Sequence, residues 1–140
     1  MTSGDDQGEA QFLGAVPVFL VDDVEATAEY YRERLDFEID FLYGEPPFFG
    51  SVSRGDAILN FTKSTPPGRR NNVQSAGPGN GVDAYIVLGH GLDDLHTEYR
   101  ARGVDIRAAP ESQAYGMREF YVEDCNGYIL AFAQEADEDE

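Results

Sequence analysis

Glu119 and Tyr121 stand two residues apart in the alternating stretch from Met117 to Val122. In a strand that spacing sets a carboxylate and a phenol on one face. Such a pair could act as a base and a carbonyl-polarising donor. The carboxylate could equally pair with a neighbouring arginine or with a cationic ligand. Little else in the chain offers chemistry of its own. The two histidines, His90 and His96, are six residues apart, a separation that does not bring both onto one helical face, and both read as surface residues. The single cysteine, Cys125, lies between Asp124 and Asn126 in a turn and reads as a packing or surface thiol, with no adjacent cation to activate it. The sequence holds no Ser-His-Asp set, phosphate-binding glycine loop or Cys–His pairing.

The elements that must position these residues come in two similar blocks. Ala57-Ile58-Leu59-Asn60-Phe61 and Tyr128-Ile129-Leu130-Ala131-Phe132 end the blocks about 70 residues apart. Each block opens on an apolar strand, at 16–21 and 82–88, and passes through an amphipathic helix rich in Tyr and Arg. The first strand is apolar on both faces and is expected to be buried on both sides. Asp22 or Asp23 can cap a helix over 24–35, where Val24, Ala28, Tyr31 and Leu35 form one stripe. Strands are expected at 37–43, 48–53 and 57–63, with a tight turn at Arg54-Gly55-Asp56. The second block repeats the order: helix 92–102 ending at Gly103, then strands at 104–108, 117–122 and 128–133. The modules therefore span about 12–63 and 82–133 within one domain, 12–133. The Pro- and Gly-rich segment 64–81 reads as a linker, and the polar ends, 1–11 and 134–140, as solvated tails. Matching the blocks pairs Val16 with Val82, Asn60 with Ala131, and Tyr31-Arg32 with Tyr99-Arg100.

Composition narrows the partners. The net charge of −17 over 140 residues argues against nucleic acid, whose binding needs clustered cations. Lys63 is the sole lysine. No apolar run is long enough to span a membrane, and no signal-peptide pattern opens the chain. A single cysteine excludes an internal disulfide framework and suits a reducing compartment, so a cytoplasmic protein is expected.

Several motifs, in order, resemble the vicinal oxygen chelate superfamily of glyoxalases, extradiol dioxygenases and bleomycin-resistance proteins. They are Val21-Asp22-Asp23-Val24 with Tyr30-Tyr31-Arg32, Leu35-Asp36-Phe37, Arg100-Ala101-Arg102-Gly103-Val104, Tyr115 to Phe120, and Glu123-Asp124-Cys125-Asn126-Gly127. The last is similar to the family's Asp-Pro-Asp-Gly turn, with Cys125 where proline is usual. The resemblance covers about 13–133 and implies an α+β fold. Two βαβββ modules would form an open barrel with a concave ligand cleft. It places the family's metal-ligand positions at Val16, Asn60, Val82 and Ala131. One neutral amide among three apolar residues is no ligand set, so metal: none, and no other cofactor, is the expectation.

In the family's register the cleft would be lined by Phe49, Ser51, Ile58, Asn60, Tyr115, Met117, Glu119 and Tyr121. Thr62, Ile129 and Ala133 share that face, and Leu59, Phe61, Leu130 and Phe132 pack beneath the helices. Arg118 is expected to face the helices or solvent. The resemblance is nearest to bleomycin-resistance members. It implies a metal-free homodimer that sequesters an aromatic or cationic small-molecule ligand, a property compatible with antibiotic resistance. The competing readings are a lyase, isomerase or dioxygenase, metal-dependent through unexpected ligands or working through Glu119 and Tyr121, and an interaction module or sensor without chemistry.

Overall fold

The computed structural model describes residues 9–70 and 81–137. In chain order the elements are β1 (Val18–Val21), α1 (Val24–Leu35), β2 (Glu38–Tyr43), β3 (Phe49–Arg54) and β4 (Ala57–Lys63), followed by β5 (Ala84–Leu88), α2 (Leu92–Ala101), β6 (Asp105–Ser112), β7 (Met117–Glu123) and β8 (Ile129–Glu135). They form two mixed four-stranded sheets, ordered β1-β4-β3-β2 and β5-β8-β7-β6. The opening strand of each module runs parallel to its closing strand, β1 with β4 and β5 with β8, and the other pairs are antiparallel. The βαβββ order thus occurs twice in an α+β fold, and the sheets do not close into a barrel. A bulge interrupts the β2–β3 ladder between Ile39 and Phe41 and the β6–β7 ladder between Ile106 and Ala108. The duplication extends to this irregularity.

Local chemistry explains the helix ends. Asp23 caps α1 by accepting the Ala26 N–H at 2.9 Å, and Asp36 ends it in the left-handed region at φ 62°. Helix α2 has no side-chain cap from its own Gly91; the Leu92 N–H donates instead to Gln134 Oε1 on β8 at 2.9 Å. Gly103 follows α2 at φ 75°, a conformation that glycine adopts without a Cβ penalty.

The core lies on the helix-bearing side of both sheets. Tyr31, Leu35, Leu59 and Phe61 from the first module and Tyr99, Phe120, Leu130 and Phe132 from the second are buried. Phe19 stacks on Tyr128 across the modules at 4.3 Å between ring centroids. Each such ring removes enough apolar surface to contribute on the order of 2–3 kcal/mol. Polar pins cross the same boundary. Tyr31 donates to Asp124 Oδ2 at 2.6 Å, Tyr128 to the Leu20 carbonyl at 2.7 Å, and Tyr99 to the Leu35 carbonyl at 2.8 Å. Arg54 pairs with Glu98 at 3.1 Å.

Three expectations change. The first strand is not buried on both sides: Phe19 and Val21 face the core, whereas Val18 is 44% exposed on the open face of its sheet. Strand β8 continues through Glu135, so Gln134 and Glu135 belong to the sheet rather than to an acidic tail. Val82 lies outside β5, which starts at Ala84. Of the expected tails and linker, residues 1–8, 71–80 and 138–140 lie outside the described residues.

Candidate functional site

Strand register defines the concave faces. In the first sheet Val18, Asn60, Ser51 and Phe41 lie side by side across β1, β4, β3 and β2. In the second, Tyr85, Ala131, Tyr121 and Ala108 form the equivalent row across β5, β8, β7 and β6. One step along, Leu20, Thr62, Phe49 and Tyr43 correspond to Val87, Ala133, Glu119 and Glu111. Asn60 therefore matches Ala131 as expected. Val18 matches Tyr85, however, so the counterpart of Val16 is Asp83 and not Val82. The two sequence blocks are offset by one residue at their first strands.

That offset hid a member of the site. Because side chains alternate along a strand, a one-residue shift moves Tyr85 from the core face to the concave face. There its hydroxyl donates to Glu119 Oε2 at 2.5 Å. Tyr115, on the turn before β7, donates to the same oxygen at 2.8 Å, and Tyr121 donates to Glu119 Oε1 at 3.0 Å. Glu119 itself is only 2% exposed. Arg118, its neighbour in sequence, reaches back to Asp93 on α2 at 3.0 Å. Among the described residues, three phenols donate to this carboxylate.

The phenols respond to it. The hydrogen bond to Glu119, with desolvation and the carboxylate charge behind it, pushes Tyr115 up to about 12. Desolvation first, and the Glu119 hydrogen bond second, raise Tyr85 and Tyr121 as well. Beyond desolvation, ionising any of the three would set a phenolate against a carboxylate. Tyr85 remains 47% exposed and Tyr115 65% exposed, so their ring surfaces are open to a ligand while their hydroxyls are committed inward.

The first module presents a different face. Phe41 and Phe49 stack at 5.7 Å between centroids, and Tyr43 meets Phe48 edge-on at 5.5 Å. Ser51 is buried in the middle of this sheet, and Ile58 is exposed at the start of β4. Asn60 Oδ1 is buried without a hydrogen-bond partner among the described residues. Met117 is half-buried at the start of β7. A groove of about 1040 Å³ opens between the modules, along Val16 and Pro17, the β3–β4 turn, β5 and the start of α2. Ile58 and Tyr85 lie on its wall, so it adjoins both faces; Asp56, Asp83 and Asp94 line it with the Arg54–Glu98 ion pair, leaving the lining net acidic.

Corrected for register, the four family metal positions hold Val16, Asn60, Asp83 and Ala131. Asp83 Oδ2 already accepts the Ile129 N–H at 2.9 Å. One carboxylate and one neutral amide do not meet the three or more protein donors that a catalytic zinc site uses. No group of three His, Cys, Asp or Glu converges elsewhere among the described residues. His96 packs edge-on against Phe120 at 5.3 Å, and His90 lines the groove. Cys125 is an exposed free thiol, raised to about 11 chiefly by desolvation and then by Asp124. None of the three belongs to the Glu119 cluster.

Fold and register describe a duplicated βαβββ scaffold with two open sheet faces, and comparison with known proteins gives its family. The model of the Glyoxalase/Bleomycin resistance protein/Dioxygenase superfamily matches residues 15–132, and the chain belongs to that superfamily. The bleomycin-binding protein of bleomycin-producing Streptomyces verticillus, solved with copper(II)-bleomycin, is 30% identical, with a TM-score of 0.65 over 92% of this chain and 99% of that one. The bleomycin resistance determinant encoded on transposon Tn5 is 25% identical, with a TM-score of 0.67 over 89% and 98%. A superfamily protein of Alicyclobacillus acidocaldarius, 14% identical with a TM-score of 0.71 over 89% and 92%, shares the fold. No curated protein matches the sequence. No helix among the described residues is long and apolar enough to cross a membrane.

Proposed function

We propose that this protein is a metal-free binding protein that sequesters a flat, cationic small molecule on its concave faces. The observation that carries the reading is the Glu119 cluster: a buried carboxylate that accepts from three tyrosines, two of which, Tyr85 and Tyr115, have open ring faces. Electron-rich rings over a carboxylate attract a planar cation by stacking and by cation–π attraction. The acidic groove rim and the net charge of −17 raise the local concentration of such a ligand. The bleomycin-binding relatives add support from outside the chain. A role for Glu119 as a catalytic base is not favoured, because both of its oxygens already accept phenol protons.

The proposal includes a homodimer. Val18, Phe41, Ile58 and Val87 leave large apolar surfaces open on the concave faces, the kind of patch a second chain covers. Binding is tested by thermal-shift titration with cationic, neutral and anionic aromatic compounds, since a ligand of the folded state raises its melting temperature. Cationic compounds should stabilise the protein selectively at 0.5 M salt, where surface attraction is screened. Stabilisation by no cationic aromatic would refute the reading. Metal analysis of chelator-free protein should find no stoichiometric transition metal, and sedimentation should give twice the 15.5 kDa chain mass.

A further inference from the structure

We propose that Tyr85 and Tyr115, not the Glu119 carboxylate, contact the ligand, and that Glu119 is a positioning residue that fixes both phenols as hydrogen-bond acceptors. The inference rests on the cleft reading above and adds the rule by which the cleft selects its ligand. A phenol has one proton and spare acceptor capacity on its oxygen. Tyr85 and Tyr115 both spend that proton on Glu119 Oε2, at 2.5 and 2.8 Å, and Tyr121 spends its own on Oε1 at 3.0 Å. A protonated carboxyl would not reverse this, because its one hydrogen could turn only one of three phenols around.

Glu119 is 2% exposed, so a ligand cannot replace the phenols without breaking hydrogen bonds to a buried charge. What it meets instead is the open side of Tyr85 and Tyr115. Their outward lone pairs can accept N–H groups and cannot donate. The surface therefore suits an amidinium, guanidinium or ammonium, and rejects a carboxylate or phosphate. Rejection has two sources: neither phenol has a proton left to donate outward, and a like charge lies directly beneath them. Selectivity is thus built from neutral side chains oriented by a buried carboxylate.

Two planar probes of one ring system separate this from direct carboxylate recognition: 2-naphthamidine and 2-naphthoate, titrated by NMR at 0.5 M salt. The full chain should bind the amidine at least about tenfold more tightly, the scale of one charge-assisted hydrogen bond. The Tyr85→Phe/Tyr115→Phe variant keeps both rings and uncovers Glu119. Amidine affinity should fall about tenfold in it if the phenol oxygens are the acceptors, on the same scale. A rise would overturn the proposal, because it would make the uncovered carboxylate the better partner.

A second measurement does not depend on ligand. In Glu119→Gln the carboxamide donates as well as accepts, so a phenol proton is freed to point outward. Tyr115 should then ionise nearer the ordinary value of 10 than to about 12, and the amidine-over-naphthoate preference should narrow to about threefold or less, the loss of a charge-assisted bond. Unchanged tyrosine titration, or an unchanged preference with amidine still bound, would overturn the positioning role and leave the cleft reading intact. Failure of the amidine to bind the unmodified protein would refute the cleft reading itself, and this assignment with it.

Discussion

Tyr31→Phe should destabilise the protein by removing one hydroxyl from the contact between the modules. The ring would stay against Phe37 and Phe61, at centroid separations of 5.7 and 5.0 Å, so packing is nearly unchanged. What is lost is the 2.6 Å hydrogen bond to Asp124 Oδ2. Asp124 is buried, and its Oδ1 keeps the N–H groups of Asn126 and Tyr128 at 2.8 and 2.9 Å. A bond to a charged group contributes about 1.5–3 kcal/mol net, so a loss of roughly 2 kcal/mol is expected at pH 7.5. At about 2–4 °C per kcal/mol for a chain of this size, the melting temperature should fall by roughly 4–8 °C. Burial raises the Asp124 carboxyl above 3.8 despite its three donors. As pH falls through that raised value the acceptor becomes neutral, and the substitution should then cost only about 1 kcal/mol. The carboxyl's net linkage runs the other way, because desolvation outweighs the hydrogen bonds: with its folded value raised, its stabilising contribution is full below 3.8 and is lost as pH rises through the folded value. Urea unfolding followed by circular dichroism at pH 7.5 and 3.5 measures both quantities. A cost below about 0.5 kcal/mol at pH 7.5, or one that does not shrink at pH 3.5, would refute the reasoning.

Three further outcomes are expected. Tyr115, raised to about 12, contributes stability that is full below pH 10 and lost as pH climbs through 12; site-resolved NMR of ¹³C-labelled tyrosine should show its late ionisation. Gly50→Ala would place a Cβ 2.9 Å from Leu42 Cδ2 and 3.1 Å from Val24 Cγ1, wedging β3 away from α1, and should lower stability by about 1–3 kcal/mol in urea unfolding. Asn60→Leu removes a buried carbonyl oxygen that has no partner among the described residues and should raise stability by about 1 kcal/mol; a drop of that size would mean that the amide is satisfied.

The fold was legible because its signals are local and repeat. The α1 stripe of Val24, Ala28, Tyr31 and Leu35 is buried as its 3.6-residue period requires, and Leu59, Phe61, Leu130 and Phe132 face the core as strand alternation requires. The Glu119–Tyr121 pairing was also visible, since one strand carries both residues. Tyr85 was not, because its place depends on the register of β5 against β8. Aligning Val16 with Val82 put it on the wrong face; aligning buried Phe19 with half-buried Ile86, which packs against the core, corrects this. The open face of β1 was missed for a related reason. Val18 and Leu20 are as apolar as Phe19 and Val21, and composition alone does not distinguish a core from an unfilled cleft.

The register also shows how one duplicated scaffold came to hold two unlike surfaces. Glu119 and Phe49 occupy equivalent positions, as do Tyr121 and Ser51, Tyr85 and Val18, and Ala131 and Asn60. Where the second module holds a carboxylate under three phenols, the first holds stacked Phe41 and Phe49 beside a lone amide oxygen. The first face gains by taking up apolar surface, and the second by accepting N–H groups. A ligand that touches both, within one chain or across a pair of chains, is therefore oriented: rings toward Phe49, cationic end toward Tyr85 and Tyr115. Phe49→Ser should accordingly weaken neutral and cationic aromatics alike, whereas the Tyr85→Phe/Tyr115→Phe variant should weaken only the cations. The same loss pattern for both substitutions would mean that the faces do not divide the ligand in this way.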